Sequence, residues 1–353
     1  MLVNNSKLKV ILYLGILIND FIIRMVNLLK TYCNIINYLN VIIIIICLSF
    51  NVKSQDAEFT QFYSNPIYLN PAFAGSNICP RMRINHRSQW TGIPSIFNTT
   101  SFSYDQNFEK FKGGLGVLII SDRLTNSIQN NKISGIYSYE LKISKKITLR
   151  TAFEASLWQN KFDQTQLTYI DMIDPLRGFV LPTSNSLLNN TIKGVDFSAG
   201  ILAYRENIFL GFSTHHLSEP EQSFFSNNSK LERKYTLNFG CHIPINKKTL
   251  LNDEKFVLSP NLIWKSQGYN EQLNLGLYAE KGPYVIGFWF RDNNNYAFLV
   301  GTKVGLIKIG YSYDINLSRL YIASSGSHEI SIQFNFQCEN KNNIKQALSC
   351  PSF

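Results

Sequence analysis

A base and a nucleophile could come from His86-Arg87-Ser88, in which a histidine and a serine lie two residues apart. Alternate side chains of a β-strand share a face, so His86 and Ser88 would lie side by side. Such a pair also needs a third group that orients the base, and the sequence singles none out. There is no glycine-rich phosphate loop and no dinucleotide fingerprint. We therefore expect no catalytic residue and no cofactor.

Metal-ligating residue types occur in two places. His215 and His216 are adjacent, and adjacent strand residues point to opposite faces, so we do not expect them to share a metal. Asp163, Asp171 and Asp174 fall around one long predicted loop, where carboxylates can hold calcium but commonly are only solvated. We expect no metal site.

Four cysteines follow the predicted leader, with no CxxC pair and no zinc spacing. In an oxidising compartment Cys338 and Cys350 could form a disulfide that ties off a C-terminal tail over residues 337–353. Cys79 and Cys241 are expected to be unpaired thiols.

The N-terminus has the features of an export signal. An apolar run over residues 41–50 is followed by Val52-Lys53-Ser54, which suits a cleavage site. We predict a leader over residues 1–54, with translation beginning at Met25. A retained helix and a lipoprotein cut before Cys47 are the alternatives.

Composition excludes two broad classes of function. Hydrophobic residues make up 45% of the 353 residues and aromatic residues 13%, yet no segment after the leader approaches the length of a membrane helix. The formal net charge is +10, but the cations are scattered apart from Lys145-Lys146 and Lys247-Lys248. Nucleic acid is therefore not an expected partner.

Strict alternation of apolar and polar residues is the main structural signal. In residues 306–314, Ile307, Ile309 and Tyr311 alternate with polar or small residues, and residues 327–336 repeat the pattern in the other phase. Such strands face two different solvents, which are water and a core in a soluble sandwich, or lipid and a lumen in a barrel. About fourteen strands are predicted, over residues 81–90, 98–107, 113–122, 132–141, 147–163, 194–204, 208–216, 233–245, 256–266, 272–280, 284–291, 296–303, 306–314 and 327–336.

Loop lengths favour the barrel. Nearly every second connection between predicted strands is short, and the two longest, 164–193 and 217–232, both fall in the other set. Barrels of the outer membrane have short periplasmic turns and longer surface loops, whereas a sandwich has no reason to sort its loops in this way. We predict an all-β transmembrane antiparallel β-barrel over residues 81–336.

Residues 55–80 show no strand pattern. Asn65-Pro66 and Asn70-Pro71 enforce turns, and the aromatic residues beside them need a surface to pack on. We predict an irregular segment that lies in the periplasm or plugs the barrel.

The chain resembles the PorP/SprF family, outer-membrane proteins of the type IX secretion and gliding machinery of Bacteroidetes. The resemblance is carried, in order, by Asp56-Ala57-Glu58-Phe59-Thr60-Gln61-Phe62-Tyr63, Asn65-Pro66, Leu69-Asn70-Pro71-Ala72-Phe73-Ala74-Gly75, Arg87-Ser88-Gln89-Trp90-Thr91-Gly92, Asp174-Pro175, Gly310-Tyr311-Ser312-Tyr313-Asp314, Ser327-His328-Glu329-Ile330 and Cys350-Pro351-Ser352-Phe353. The extended leader before Met25 departs from the family.

The resemblance implies a protein of the cell outer membrane that helps to secrete or anchor particular surface adhesins. Its implied partners are outer-membrane lipid, components of the periplasmic ring, and cargo that bears a type IX C-terminal domain. Two alternatives stay open. One is a passive transporter of hydrophobic small molecules with residues 55–80 as a hatch, and the other is a phospholipase, because outer-membrane phospholipases show the His86/Ser88 spacing.

Two carboxylates, Asp314 and Glu329, fall on the predicted lumen face. A carboxylate there is unfavourable unless it is paired, so Arg83 or Arg87 of the first strand are the expected partners. The residues expected to contact a partner or the plug are Phe62, Tyr63, Asn65, Pro66, Asn70, Pro71, Phe73, Arg87, Trp90, Asp174, Asp314, His328 and Glu329.

Overall fold

The computed structural model describes residues 56–77, 79–93, 97–182, 190–224, 229–245, 256–292, 295–317 and 324–338. The predicted leader, Cys350 and most of the predicted tail lie outside these residues. None of the helices in the described part of the chain is long and apolar enough to cross a membrane.

The described strands match the fourteen predicted ones in position, and two further strands form a small hairpin within one loop. Their bounds are β1 Arg81–Gln89, β2 Phe97–Phe108, β3 Gly113–Leu124, β4 Ile128–Lys142, β5 Thr148–Phe162, β6 Ile173–Asp174, β7 Gly178–Phe179, β8 Thr191–Arg205, β9 Ile208–His215, β10 Lys234–Cys241, β11 Ile243–Ile245, β12 Phe256–Gln267, β13 Asn270–Lys281, β14 Tyr284–Arg291, β15 Asn295–Val304, β16 Ile307–Asn316 and β17 Ser327–Asn335. β11 continues β10 beyond a break at His242, in the same register against β12.

The sheet closes on itself. Every neighbouring pair is antiparallel, β1 pairs with β17 from Arg81↔Asn335 to Gln89↔Ser327, and β10 pairs with both β9 and β12. Taking β10 and β11 as one, the described strands form a closed antiparallel barrel of 14 strands. Closure removes the exposed edges that an open sheet of this size would present.

The barrel has its apolar face outside. On β3, Leu115, Val117 and Ile119 point outward and are each about 40% exposed, and the outward residues of the other strands follow the same pattern. The inward residues are mostly small or polar, such as Ser134 and Ser198. This arrangement suits lipid outside and a polar lumen inside, so the soluble sandwich is wrong.

Connections sort by length between the two ends of the barrel. One end, here called the turn end, carries short connections such as 206–207, 282–283 and 305–306. The opposite end, the loop end, carries the long excursions 163–190 and 216–233. The sorting follows the parity predicted from the sequence.

Residues 56–77 lie inside the barrel and are here called the plug. They contain a one-turn helix, α1 (Pro66–Leu69), and a 3₁₀ turn, Pro71–Phe73. Each turn begins with proline, whose fixed φ and missing N–H suit the first helical position. The plug runs from the loop end, where Asp56 contacts His216, to the turn end, where Gly75 lies against Gly114.

The apolar core of the protein lies between the plug and the inner wall. Buried side chains of the plug form one apolar cluster with twelve buried residues of the wall. The plug supplies Phe62, Tyr63, Ile67, Leu69, Ala72, Phe73 and Ala74, and the wall supplies Leu118, Ile120, Ile136, Leu202, Tyr204, Phe209, Ile263, Tyr278, Val285, Trp289, Ala297 and Leu299.

The disulfide differs from the one predicted. Cys338 is bonded to Cys79, with their Cα atoms 5.6 Å apart, so the predicted Cys338–Cys350 bridge is wrong. Cys79 lies two residues before the start of β1 and Cys338 three residues after the end of β17, and these two strands pair in antiparallel register. Closure of the barrel therefore brings together two cysteines that are 259 residues apart in the sequence. Cys241 is a free thiol, as expected.

Candidate functional site

The plug is fixed at the turn end by a buried carboxylate. Asp105, which points inward from β2, accepts a hydrogen bond of 2.9 Å from the Gly75 backbone N–H. Arg81 and Arg83 of β1 pair with the two oxygens of the same carboxylate at 2.7 and 2.9 Å. One acid thus joins the plug backbone to two cations of the first strand, and these partners offset the cost of burying its charge.

Close backbone packing accompanies this ion pair. The Ala74 carbonyl oxygen accepts hydrogen bonds from Ser138 Oγ at 2.6 Å and Arg150 Nη1 at 3.0 Å. A Cβ atom built on Gly114 would lie 2.4 Å from that same oxygen. Glycine in β3 therefore lets the plug backbone touch the wall.

Aromatic residues hold the middle of the plug. Phe62 packs edge-on against Trp289 with ring centroids 4.7 Å apart, and Tyr63 lies among Phe209, Tyr278 and Trp289. Trp289 in turn donates a hydrogen bond of 2.8 Å to Tyr278 Oη. These contacts give the Phe62-Tyr63 pair a preformed apolar seat.

The side chain of Asn70 forms hydrogen bonds with backbone carbonyl groups of the barrel wall. Its amide nitrogen donates to the carbonyl oxygens of Ile201 and Phe212 at 3.1 and 3.3 Å, and its oxygen accepts from Ala72 N at 2.9 Å. A Cβ atom on Gly200 would lie 2.1 Å from the Asn70 side-chain oxygen. A Cβ atom on Gly211 of β9 would lie 2.8 Å from the Asn70 side-chain nitrogen, so the asparagine fits because both strands have glycine beside it.

A second charged cluster lies on β1, β16 and β17. Arg87 Nη2 pairs with Asp314 at 2.8 Å, and Arg87 Nη1 lies 3.6 Å from Glu329. The plug joins the cluster through Thr60, whose backbone N–H donates to Glu329 at 2.6 Å and whose hydroxyl donates to Asp314 at 2.6 Å. Arg87 is thus the partner expected for both carboxylates, while Arg83 belongs to Asp105.

At the loop end, the first plug residues are fixed by cations. Asp56 contacts His216 at 2.9 Å and Lys234 at 3.2 Å, and Glu58 contacts Lys265 at 3.0 Å. Burial by itself would raise the pKa of Asp56, but His216 and Lys234 hold it well below its usual range. Burial likewise opposes ionisation of Glu58, yet Lys265 lowers its pKa to about 2. Both carboxyl groups at the start of the plug are therefore ionised.

His216 is a positively charged clamp between two carboxylates. Its Nδ1 contacts Asp196 at 2.7 Å, opposite the Nε2 contact with Asp56. Burial would lower the pKa of His216, but Asp56 and Asp196 raise it to about 9. The expectation that His215 and His216 point to opposite faces is wrong, because His216 has φ +59° and both rings are buried.

The seven contact residues predicted within 55–80 all belong to the plug and pack inside the barrel. Phe62, Tyr63, Asn65, Pro66, Asn70, Pro71 and Phe73 are buried. An external partner does not reach them while the plug is in the barrel. Sequence reasoning missed three wall residues that contact the plug or its ion clusters, Asp105, Lys265 and Arg291, although the alternation of β2, β12 and β14 indicates their inward position. It also missed the role of Thr60 within the plug.

Three predicted residues lie elsewhere. Trp90 is at the loop end, where its ring packs edge-on against Phe97 at 5.1 Å. His328 lies beside Tyr311, whose hydroxyl is 2.8 Å from His328 Nδ1, toward the exposed outer side. Asp174 accepts hydrogen bonds from the backbone N–H groups of Leu176 and Arg177 at 2.8 and 2.9 Å. That turn leaves Leu176 96% exposed at the tip of the β6–β7 hairpin.

The residues considered as a catalytic base or as metal ligands form hydrogen bonds with neighbouring side chains and backbone groups. His86 Nδ1 lies 2.8 Å from Thr100 Oγ1 of the adjacent strand, on the exposed side. Asp163 accepts hydrogen bonds from Thr165 within its own turn. In the part of the chain that the structure describes, no group of three or more His, Cys, Asp or Glu side chains could hold a metal ion.

Comparison with known families agrees with this architecture. The family described as "Type IX secretion system membrane protein PorP/SprF" matches residues 51–334. None of the curated proteins matches the chain.

Solved structures with similar folds are barrels of low sequence identity. The outer membrane protein Omp33 of Acinetobacter baumannii is 8% identical, with 74% of this chain and 100% of that chain covered and a TM-score of 0.40. The toluene transporter TodX of P. putida is 9% identical, with 76% and 93% covered and a TM-score of 0.41. The KdgM porin is 10% identical, with 73% and 99% covered and a TM-score of 0.35.

Proposed function

The chain belongs to the PorP/SprF family of type IX secretion system membrane proteins, and on that premise we propose that this outer-membrane barrel helps to secrete or anchor specific surface adhesins. It acts without catalysis, as a platform. The partners are components of the periplasmic ring at the turn end, and cargo with a type IX C-terminal domain at the loop end.

The observation that carries the proposal is the filled lumen. The plug runs the length of the barrel and is held by two buried ion clusters around Asp105 and Arg87, with a third polar cluster at Asp56. Opening this lumen would break the hydrogen bonds that Thr60 and Gly75 of the plug make with these clusters, and it would expose the apolar side chains packed between the plug and the wall. Both losses are unfavourable. A platform needs no open lumen, whereas a passive transporter of hydrophobic small molecules does.

The loop end offers a surface for a protein partner. Ile170, Leu176 and Phe179 are 90%, 96% and 63% exposed around the β6–β7 hairpin. Apolar side chains clustered on a surface loop commonly mark an interaction site. Asp174 holds this tip in place, which supports a role for the Asp174-Pro175 turn in presenting the apolar side chains.

The first experiment is deletion of the gene, followed by comparison of the surface-exposed and periplasmic proteomes. We expect one or a few adhesins with a type IX C-terminal domain to disappear from the surface while other secretion continues. Complementation with Leu176→Ser should restore the barrel in the outer membrane but not the adhesins at the surface. The matched control is Ile143→Ser, which replaces an exposed apolar residue at the turn end and should restore both.

Other outcomes would select another function. Normal surface cargo with altered uptake of a small apolar molecule would replace the secretion role by the transporter. Lipid hydrolysis by the purified protein that is lost in Ser88→Ala would favour the phospholipase.

A further inference from the structure

The outward side chains of β3, β4, β5 and β8 change from apolar to polar toward the loop end. One outward row is apolar and exposed, and its members pair in register from strand to strand: Ile119, Ile133, Leu157 and Val195. The next outward row is formed by Ser121, Asn131, Gln159 and Lys193. Outward residues recur at every second position, so this polar row lies about 7 Å nearer the loop end. The lipid-facing band of this wall therefore ends between the two rows.

Three cations lie at and beyond the polar row, and they are here called the cationic face. Arg123 of β3, Lys161 of β5 and Lys193 of β8 occupy outward positions and are exposed. Gln129 of β4 pairs in register with both Arg123 and Lys161, and Lys193 pairs with Gln159. Adjacent strands are about 4.8 Å apart, so the cationic face spans about 14 Å from β3 to β8. Within the described residues, none of its three cations forms an ion pair.

The carboxylates of the same four strands are on the opposite side of the wall. Those on inward positions are Asp122, Glu140, Glu154 and Asp196. Asp163, which follows β5, accepts hydrogen bonds from Thr165 within its own turn. At the loop end, an exposed outward carboxylate occurs on β13, where Glu271 lies several strands away in the sheet. Positive charge is therefore concentrated on one side of the barrel, directly beside lipid.

A phosphorylated glycolipid matches the order of these three levels. Acyl chains suit the apolar row, sugar hydroxyl groups suit the polar row, and phosphates suit the cations. The guanidinium group of Arg123 can bind two phosphate oxygens at once, and the two lysines supply compact point charges. The loop end carries the long connections that in such barrels face the cell surface, so the glycolipid belongs to the outer leaflet.

We propose that the cationic face binds the phosphorylated sugar head of a lipopolysaccharide molecule, whose acyl chains pack on Ile119, Ile133, Leu157 and Val195. Phosphates of neighbouring lipopolysaccharide molecules repel each other and need cations between them. Arg123, Lys161 and Lys193 supply such cations from the protein wall. This lipid site is separate from the plug and does not depend on the proposed function.

Other anionic ligands fit the cationic face less well. A phospholipid has a single phosphate directly at the edge of its acyl chains and no sugar, whereas the cations are spread over about 14 Å and lie beyond a polar row. A free phosphate ion would make no use of the apolar row. An acidic protein would have to displace lipid from that row in order to reach all three cations.

The test is isothermal titration calorimetry with the full chain in detergent and purified lipid A, the acylated and phosphorylated disaccharide of lipopolysaccharide, as the probe. The variant Arg123→Gln/Lys161→Gln/Lys193→Gln removes the cationic face, and it should weaken binding by about 10- to 100-fold, since one cation near an anionic lipid surface contributes about 5-fold. The matched control is Lys142→Gln/Lys145→Gln/Lys146→Gln, which removes three exposed cations at the turn end. Heat-modifiable migration in gels shows that each variant is folded.

Three further probes are titrated in the same detergent: lipid A from which the phosphates have been removed, phosphatidylglycerol and inorganic phosphate. Weaker binding of lipid A by the first variant alone, together with weak binding of dephosphorylated lipid A by every protein, supports the proposal. Absent binding of lipid A, equal binding by all three proteins, or an equal loss in both variants overturns it. Phosphatidylglycerol or inorganic phosphate that binds as tightly as lipid A, and is lost in the first variant alone, replaces the glycolipid by an ordinary phospholipid or a free anion.

Discussion

Arg87→Gln tests how much the ion cluster beneath Thr60 of the plug stabilises the folded protein. The guanidinium lies 2.8 Å from Asp314 and 3.6 Å from Glu329, and all three side chains are almost fully buried. Removing one partner of a buried ion pair typically costs about 3–5 kcal/mol, because the remaining charge stays buried and unpaired. Arg291, at 3.5 Å from Asp314, offsets part of that loss. We therefore expect a decrease of about 3 kcal/mol in the free energy of unfolding.

The assay is urea-induced unfolding of the barrel in lipid vesicles, followed by heat-modifiable migration. The same substitution at Arg233 is the control, because Arg233 pairs with Glu219 at 3.2 Å in an exposed site. An exposed pair contributes about 0–1 kcal/mol, so Arg233→Gln should have little effect. The two variants differ in burial and not in the chemistry of the replaced group.

A triple variant that neutralises all the charges of this cluster extends the same unfolding experiment. Arg87→Gln/Asp314→Asn/Glu329→Gln removes all three charges, so it should recover most of the stability that Arg87→Gln loses. A loss below about 1 kcal/mol in the single variant, or no recovery in the triple variant, would refute the argument that an unpaired buried charge at this cluster destabilises the folded protein.

Three further predictions concern other parts of the plug and its seat. Gly114→Ala should destabilise the folded protein by about 1–3 kcal/mol, because its Cβ atom would meet the Ala74 carbonyl oxygen. Gly135→Ala, where nothing lies within 4 Å, should be neutral in the same urea titration. The raised pKa of His216 contributes stability that is complete below about 6.5 and is lost as the pH rises through about 9. Hydrogen exchange of residues 56–60, corrected for its intrinsic pH dependence, should therefore accelerate over that range, and His216→Gln should abolish the step. Non-reducing gels of the unfolded chain should show faster migration that Cys79→Ser removes and Cys350→Ser does not, whereas the reverse result would restore the predicted Cys338–Cys350 bridge.

Alternation and loop parity by themselves determined the barrel, its number of strands and the face of the residues within its regular strands. Both signals are local. A strand between lipid and a lumen must alternate along its own sequence, and a chain that crosses the membrane repeatedly must alternate between two kinds of connection. This is why Asp314 and Glu329 could be placed in the lumen from the sequence.

Which inward residues meet was decided only by the tertiary structure. Closure puts Arg87 of β1 opposite Glu329 of β17, whereas Arg83 lies opposite Gln333. Pairing of β1 with β2 puts Arg81 opposite Asp105, and Arg83 also reaches Asp105 and not the carboxylates of the last strands. The same register joins Cys79 to Cys338. The register between the first and last strands is a contact across the whole chain, and no local period records it.

Sequence patterns likewise did not predict the path of the plug through the barrel. The Asn-Pro steps indicate turns, but the direction from Asp56 at the loop end to Gly75 at the turn end depends on contacts with many strands at once. His216 reaches Asp56 because its backbone adopts a left-handed conformation that strand alternation does not predict. The sequence pattern therefore determined the barrel, whereas the path of the plug depends on how an irregular segment packs against the closed inner wall.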